Sequence, residues 1–158
     1  MFREMRRKKQ EISKEECIKI LNAEKRGALA VIGDDGYPYA IPLDFYYDSQ
    51  NEKIYFHGAK EGHKIDAIKN NEKVCFTVWN AGTLKEGDWA YYVTSVVVFG
   101  KAHLVTDDSV IYEKAKAIGM KYYPSVEEVD AEIARDLSRV QLVEISIDHM
   151  TGKLVHEK

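Results

Sequence analysis

The chain has 158 residues, enough for one domain with a closed hydrophobic core. Its 23 lysines and arginines stand against 26 aspartates and glutamates, a formal net charge of −3. That balance excludes a surface built for bulk attraction to phosphate, and with it a non-specific nucleic-acid binder; small anionic ligands remain admissible, because a local basic pocket suffices for them.

Ser13 opens the run SKEE, with Glu16 three residues later, which is a capping box. Cys17, Ile18, Ile20 and Leu21 follow as an apolar stripe, so the spacing predicts a helix over about 13–26, ended by Gly27. ALAVIG (28–33) reads as a strand, Asp34-Asp35-Gly36 as a turn, and PYAIPLDFYYD (38–48) as the second strand of a hairpin. Pro42 has no N–H to give to a ladder, which places this strand at an edge or a bulge. SQNEK turns the chain into a third strand, KIYFH (53–57), and IDAIKNN looks helical. KVCFTVW (73–79) is a fourth strand, and 81–87 a polar loop. The segment 91–105 is a long fifth strand, with Gly100 as a bulge or bend. Val110, Ile111, Ala115 and Ile118 mark a helix over 107–123, stopped by Pro124; residues 126–137 form a short second one. VQLVEISID (140–148) alternates as a last strand, and GKLVHEK is read as a tail.

The sum is one mainly β domain over 1–158, with a helical insert at about 107–137 before the last strand. The lack of a βαβ alternation along the chain argues against a doubly wound parallel sheet, and the six strands favour an antiparallel Greek-key barrel. Cys17 and Cys75 lie in apolar patterns with no motif around them, so both are expected to be reduced and buried. MFREMRRKKQ lacks the apolar core of a signal peptide, and no run approaches the roughly 18 apolar residues of a membrane span. The expected setting is cytoplasmic, with neither membrane nor nucleic acid as partner.

The run YFHGAKEGHK (55–64) carries the chemistry. Gly58 and Gly62 allow close approach and positive φ. The amides of Gly62, His63 and Lys64 stand unpaired at a helix start, which suits an anion. Lys60, His63 and Lys64 oppose the helix dipole there, and a bound phosphate would remove the conflict; solvated surface cations tolerated at small cost are the other reading. The run lacks the Gly-Lys-Ser/Thr ending of a Walker loop. His57 and His63 have no third ligand at useful spacing, so no metal site is expected. Tyr37, Tyr39, Tyr46, Tyr47, Tyr91 and Tyr92, with Phe45, Trp79 and Trp89, fit strand cores and cross-strand pairs; a few could wall a flat ring.

The order RRKKQEIS, GALAVIGDDGYPYAIPLDFYY, IYFHGAKEGHKIDAI, VCFTV and TSVVVFGKAHLV resembles the pyridoxamine 5′-phosphate oxidase-like flavin-binding split barrels, and within them the nitroimidazole-resistance (5-nitroimidazole reductase-type) branch. The likeness is collinear from about Arg6 to the last strand, and HGAKEGHK (57–64) is its most specific part. It implies a split barrel and a homodimer with two FMN sites at the subunit interface. Carried over by position, Tyr39, Pro42 and Leu43 lie along the isoalloxazine. His57, Gly58 and Ala59 line the flavin and ribityl chain, and Gly62, His63 and Lys64 hold the phosphate. Thr94 and Ser95 reach the cofactor from the other subunit or close to it. The pyridoxamine oxidase branch has Ser-Arg-Lys where this chain has Gly-His-Lys. Its C-terminal substrate-binding Trp and Arg have no counterpart in VQLVEISIDHMTGKLVHEK, which speaks against vitamin B6 oxidation. The implied activity is an FMN-dependent oxidoreductase that takes electrons from a donor such as NAD(P)H and reduces a small acceptor, for example a nitroimidazole or another nitroaromatic. His57 is the candidate proton donor, or else packs on the ring or the ribityl chain. The alternatives are a non-catalytic flavin or haem binder or sensor of the same fold, and a deazaflavin-dependent reductase.

Overall fold

The Ser13 capping box forms. The Ser13 hydroxyl accepts the Glu16 amide at 3.2 Å, and the Glu16 carboxylate accepts the Ser13 amide at 2.9 Å. In this computed structural model, which describes residues 1–123 and 125–156, the capped helix α1 spans Lys14–Ala23. It ends short of residue 26 because Glu24 is already extended and β1 (Arg26–Ile32) begins two residues on. There follow β2 (Pro38–Asp44), β3 (Tyr46–Asp48), β4 (Lys53–Ala59), α2 (His63–Asn70), β5 (Lys73–Trp79), β6 (Val93–Leu104), α3 (Asp108–Tyr122), α4 (Val126–Asp136) and β7 (Val140–Val155). The expected stop at Pro124 lies outside the described residues.

All seven strands join one antiparallel sheet in the order β2-β1-β5-β6-β7-β4-β3, curled into a split barrel. Alternate residues such as Leu29, Phe56, Phe76, Val78, Val96 and Val98 point inwards and are buried, each worth about 1.5–3 kcal/mol. Cys17 and Leu21 of α1, and Ile65, Ala67 and Ile68 of α2, complete the same core. Cys17 is buried as expected; Cys75 is not, because its place between Val74 and Phe76 turns it to the half-exposed outer face. Pro42 does sit on an edge strand, since β2 pairs with β1 alone.

Two expectations are corrected. The single strand read over 38–48 is two, which makes seven strands instead of six. At Phe45 the chain leaves its pairing with β1 (Arg26 opposite Asp44) and starts pairing with β4 (Tyr46 opposite Tyr55). β2 and β3 are therefore the two opposite ends of the sheet, joined by one residue. The segment read as a tail is also strand: β7 runs to Val155, with Lys153 opposite Ser95 and Leu154 opposite Thr94. The register slips where Phe99 faces His149 but Gly100 faces Ile147, so Asp148 is the extra residue of a bulge.

The insert α3–α4 covers the outside of β3, β4 and β7. Ile118 packs with Tyr55 and Leu142 in a small second core. Asp107 caps α3 and Ser125 caps α4. Lys114 of α3 reaches Asp48 of β3 at 3.0 Å, both buried. Burial alone would raise the Asp48 carboxyl, but hydrogen bonds from Asn51, Lys114 and two backbone amides hold it down to about 2, below the ordinary 3.8. Among the described residues, no helix is long and apolar enough to cross a membrane.

Lys114→Met leaves the Asp48 carboxylate buried without its cation. It is expected to cost about 3–5 kcal/mol in a urea unfolding measurement. Because the folded-state value of Asp48 is depressed, its contribution is complete above pH 4 or so and is lost as the pH falls towards 2. The gap between wild type and Asp48→Asn should therefore narrow over that acid range.

Candidate functional site

Beyond Phe45 the barrel does not close. β3 covers β4 only at Lys53, Ile54 and Tyr55. His57, Gly58 and Ala59 pair with Leu142, Gln141 and Val140 of β7 on one side and, among the described residues, with no strand on the other. β2, at the other end of the sheet, likewise has one unpaired edge, and from β4 the chain turns through 60–62 into α2.

Gly62 is the N-cap of α2. Its φ of 132° and ψ of 170° belong to the region that favours glycine, and no side chain caps the helix. The Gly62 carbonyl accepts the amides of Ile65 and Asp66, both at 3.0 Å. The amides of His63 and Lys64 have no acceptor in the chain among the described residues, so two donors and the positive end of the helix dipole point outwards. The Lys64 side chain lies back along β4: a Cβ added at Gly58 would stand 2.9 Å from its Nζ and 3.0 Å from its Cε. Gly58 is the gap through which this lysine passes. His63 turns the opposite way. Its ring stacks on Tyr39 at 4.2 Å and 20°, and its Nε2 accepts the Asp34 amide at 3.4 Å.

His57 stands on the outer face of β4 and lines a cavity of about 350 Å³ under the insert, together with Asp44, Tyr122 and Tyr123 and with Glu132 and Asp136 of α4. Its own surface is exposed to solvent, but it sits in a concavity, and desolvation there is the largest influence on it. Its imidazole is lowered from the ordinary 6.5 by this desolvation and by Lys64; Glu132 and Asp44 oppose the shift. The shift favours the neutral imidazole.

The expected site residues divide into groups. Tyr39 meets His63, while Gly58, Ala59, Gly62 and Lys64 share the open edge and helix start. Pro42 faces outwards on β2; the Leu43 side chain packs on the core, leaving its backbone at the edge. Thr94 and Ser95 do not join them within one chain. Ser95 stands opposite Trp79 and the Thr94 amide is held by Asn80, at the end of β5 remote from Lys73, whereas Tyr39 pairs with Val31 at the Lys73 end. Asp44, Tyr122, Tyr123, Glu132 and Asp136 were not foreseen. The signal available for them is Glu132 and Asp136, four residues apart beside the apolar stripe of Val129 and Ile133. Among the described residues no group of three or more His, Cys, Asp or Glu could hold a metal ion.

A seven-stranded antiparallel barrel, split between its edge strands and carrying an open helix end at the split, defines the split-barrel class. Residues 13–154 match the family profile described as pyridoxamine 5′-phosphate oxidase, and the chain belongs to that family. No curated protein sequence matches it. Among solved structures it is similar to a candidate 5-nitroimidazole antibiotic resistance protein from Bacteroides thetaiotaomicron, at 22% identity and a TM-score of 0.76, covering 91% of this chain and 86% of that one. A conserved hypothetical protein from Mycobacterium tuberculosis aligns at 17% identity and a TM-score of 0.80, over 98% and 96% of the two chains. An FAD-binding protein from Mesorhizobium loti aligns at 23% identity and a TM-score of 0.69, over 93% and 98%.

Proton NMR of the His57 ring checks the electrostatics. Its titration midpoint is expected below 6.5. Glu132→Gln, which removes a carboxylate that favours the imidazolium, should lower it further; Lys64→Met, which removes a repelling cation, should raise it.

Proposed function

We propose that the chain binds FMN at the split and serves as a flavin-dependent oxidoreductase for a small acceptor of the nitroaromatic kind. One observation carries this reading: the uncapped start of α2, with Lys64 laid along Gly58 at the open edge of β4. The donor set suits a phosphate ester, offering the amides of His63 and Lys64, the Lys64 ammonium and the helix dipole. Gly58, over which Lys64 passes, adds no side chain of its own, so a polyol chain can run along β4 beside the lysine.

In this reading Lys64 and the α2 amides hold the phosphate, and Ala59 and Gly58 border the ribityl chain. Pro42 and the Leu43 backbone border the ring. Tyr39 holds His63 by stacking. Bound flavin would supply the electron transfer, from a donor such as NAD(P)H to the acceptor. His57, whose surroundings favour the neutral imidazole, is placed to take up a proton at its imidazole nitrogen and pass it on. Thr94 and Ser95 serve the site of a second copy in a homodimer. The exposed apolar residues Ile32 (45%), Trp79 (52%) and Phe99 (40%) on the outer face of β1, β5 and β6 support such a partner. A second reading has the same split hold FAD; the similarity to an FAD-binding protein favours it.

The visible spectrum of the purified protein tests the proposal. Flavin bands, with FMN released on denaturation, are expected; FAD release would select the second reading. A colourless protein that takes up no added flavin overturns both. Lys64→Ala should weaken FMN binding by roughly 1–3 kcal/mol, measured by flavin fluorescence quenching, and unchanged affinity would remove the lysine from the phosphate site. Anaerobic reduction by NAD(P)H followed by reoxidation with a nitroimidazole separates an enzyme from a binder.

A further inference from the structure

The cavity under α3 and α4 is chemically the reverse of the helix start beside it. Its walls are apolar at Ile118, Val129, Ile133 and Val140, and the rings of Tyr122 and Tyr123 face it. No lysine or arginine lines it, and three carboxylates do. Two of these are already neutralised: Asp44 by Arg26 at 2.9 Å, and Asp136 by Arg135 at 2.7 Å and Arg139 at 3.9 Å. The third, Glu132, is half-buried. It accepts the Tyr123 hydroxyl at 3.2 Å and forms no ion pair among the described residues; Arg135, which pairs with Asp136, is the cation that acts on it from a distance. Besides these carboxylates and the two tyrosines, the titratable group in the lining is His57.

We propose that this cavity binds a small organic cation with an aromatic or apolar body, its charged end against Glu132 and its body among the apolar walls and the tyrosine rings. The roughly 350 Å³ of space matches a single-ring molecule. Apolar walls desolvate the body, and one carboxylate without a direct ion pair favours a cation while repelling an anion. A phosphate-bearing ligand is therefore directed to α2 and turned away from the cavity, with His57 on the border between the two fields. The binding of this cation does not depend on the flavin reading.

Benzylamine, benzyl alcohol and benzoate share one ring and differ in charge. Calorimetric titration of the full-length protein with each, before and after FMN loading, is the test. Benzylamine is expected to bind in both states, benzyl alcohol at least about tenfold more weakly, and benzoate not at all. Glu132→Gln should weaken benzylamine at least about tenfold while leaving benzyl alcohol unchanged. Ile133→Trp, which fills the cavity from a half-exposed wall, should abolish binding of both and leave FMN uptake intact. Equal binding of the three probes, or a Glu132→Gln protein that binds benzylamine like wild type, overturns the proposal. Benzylamine binding in a protein that takes up no flavin keeps the cation pocket and removes the flavin reading. Flavin uptake without benzylamine binding does the reverse.

Discussion

The Tyr122 hydroxyl accepts the Phe45 amide at 2.9 Å and donates to the Phe45 carbonyl at 2.8 Å; Lys121 gives that carbonyl a second donor at 3.0 Å. Phe45 is the one residue between the two ends of the sheet. Its backbone groups have no strand to pair with, and leaving them unpaired in a buried corner would cost roughly 1–3 kcal/mol each. The last turn of α3 supplies what a neighbouring strand would. It also reaches back to the start of β1, where the Lys25 carbonyl shares the single Tyr122 proton with that of Phe45 and Lys121 donates to the Glu24 carbonyl at 2.7 Å. Burial pushes the Tyr122 phenol up to about 12, so it keeps its proton at any physiological pH. Burial also lowers the Lys121 ammonium to about 8, while two carbonyls and the Phe45 ring face, 3.9 Å away, hold its charge.

The candidate site follows from this corner. Because Phe45 is held to α3 and not to a strand, β2 and β4 part beyond it, and the edge carrying His57, Gly58 and Ala59 stays open. Lys64 can then lie along Gly58, and the insert can roof the space outside His57. Two opposite fields result within a few residues of β4: cationic donors at the start of α2, and a carboxylate-lined apolar hollow under α4. His57 separates them, with Lys64 lowering its imidazole and Glu132 raising it.

Much of this was legible in the residues. SKEE forms its capping box, Pro42 sits on an edge, and Gly62 adopts the backbone that only glycine takes easily, at an open helix start. The break at Phe45 was hidden because the alternation does not slip there. Tyr39, Ile41, Leu43, Phe45 and Tyr47 all point inwards, so one period runs through two strands. The last third of β7 was hidden for the opposite reason: the extra residue at Asp148 shifts the phase and imitates the end of a strand. Glu132 and Asp136 read as the solvent face of an amphipathic helix, and only the docking of α4 over β4 turns them towards a cavity. Whether Thr94 and Ser95 meet a second chain is not written in the ladder of one.

β7 has a further consequence, for the order in which the molecule can assemble. β4 pairs only with β3 and β7, and β6 only with β5 and β7. Until β7 arrives, the chain consists of a four-stranded sheet and a detached hairpin, and the Phe45 corner waits for a tyrosine 77 positions away. Synthesis must therefore reach β7 before the barrel exists. During that interval β4 and β6 present unpaired edges, which makes the nascent state the period of greatest exposure to aggregation and to chaperones. The strand added last is the one that makes the sheet a single object.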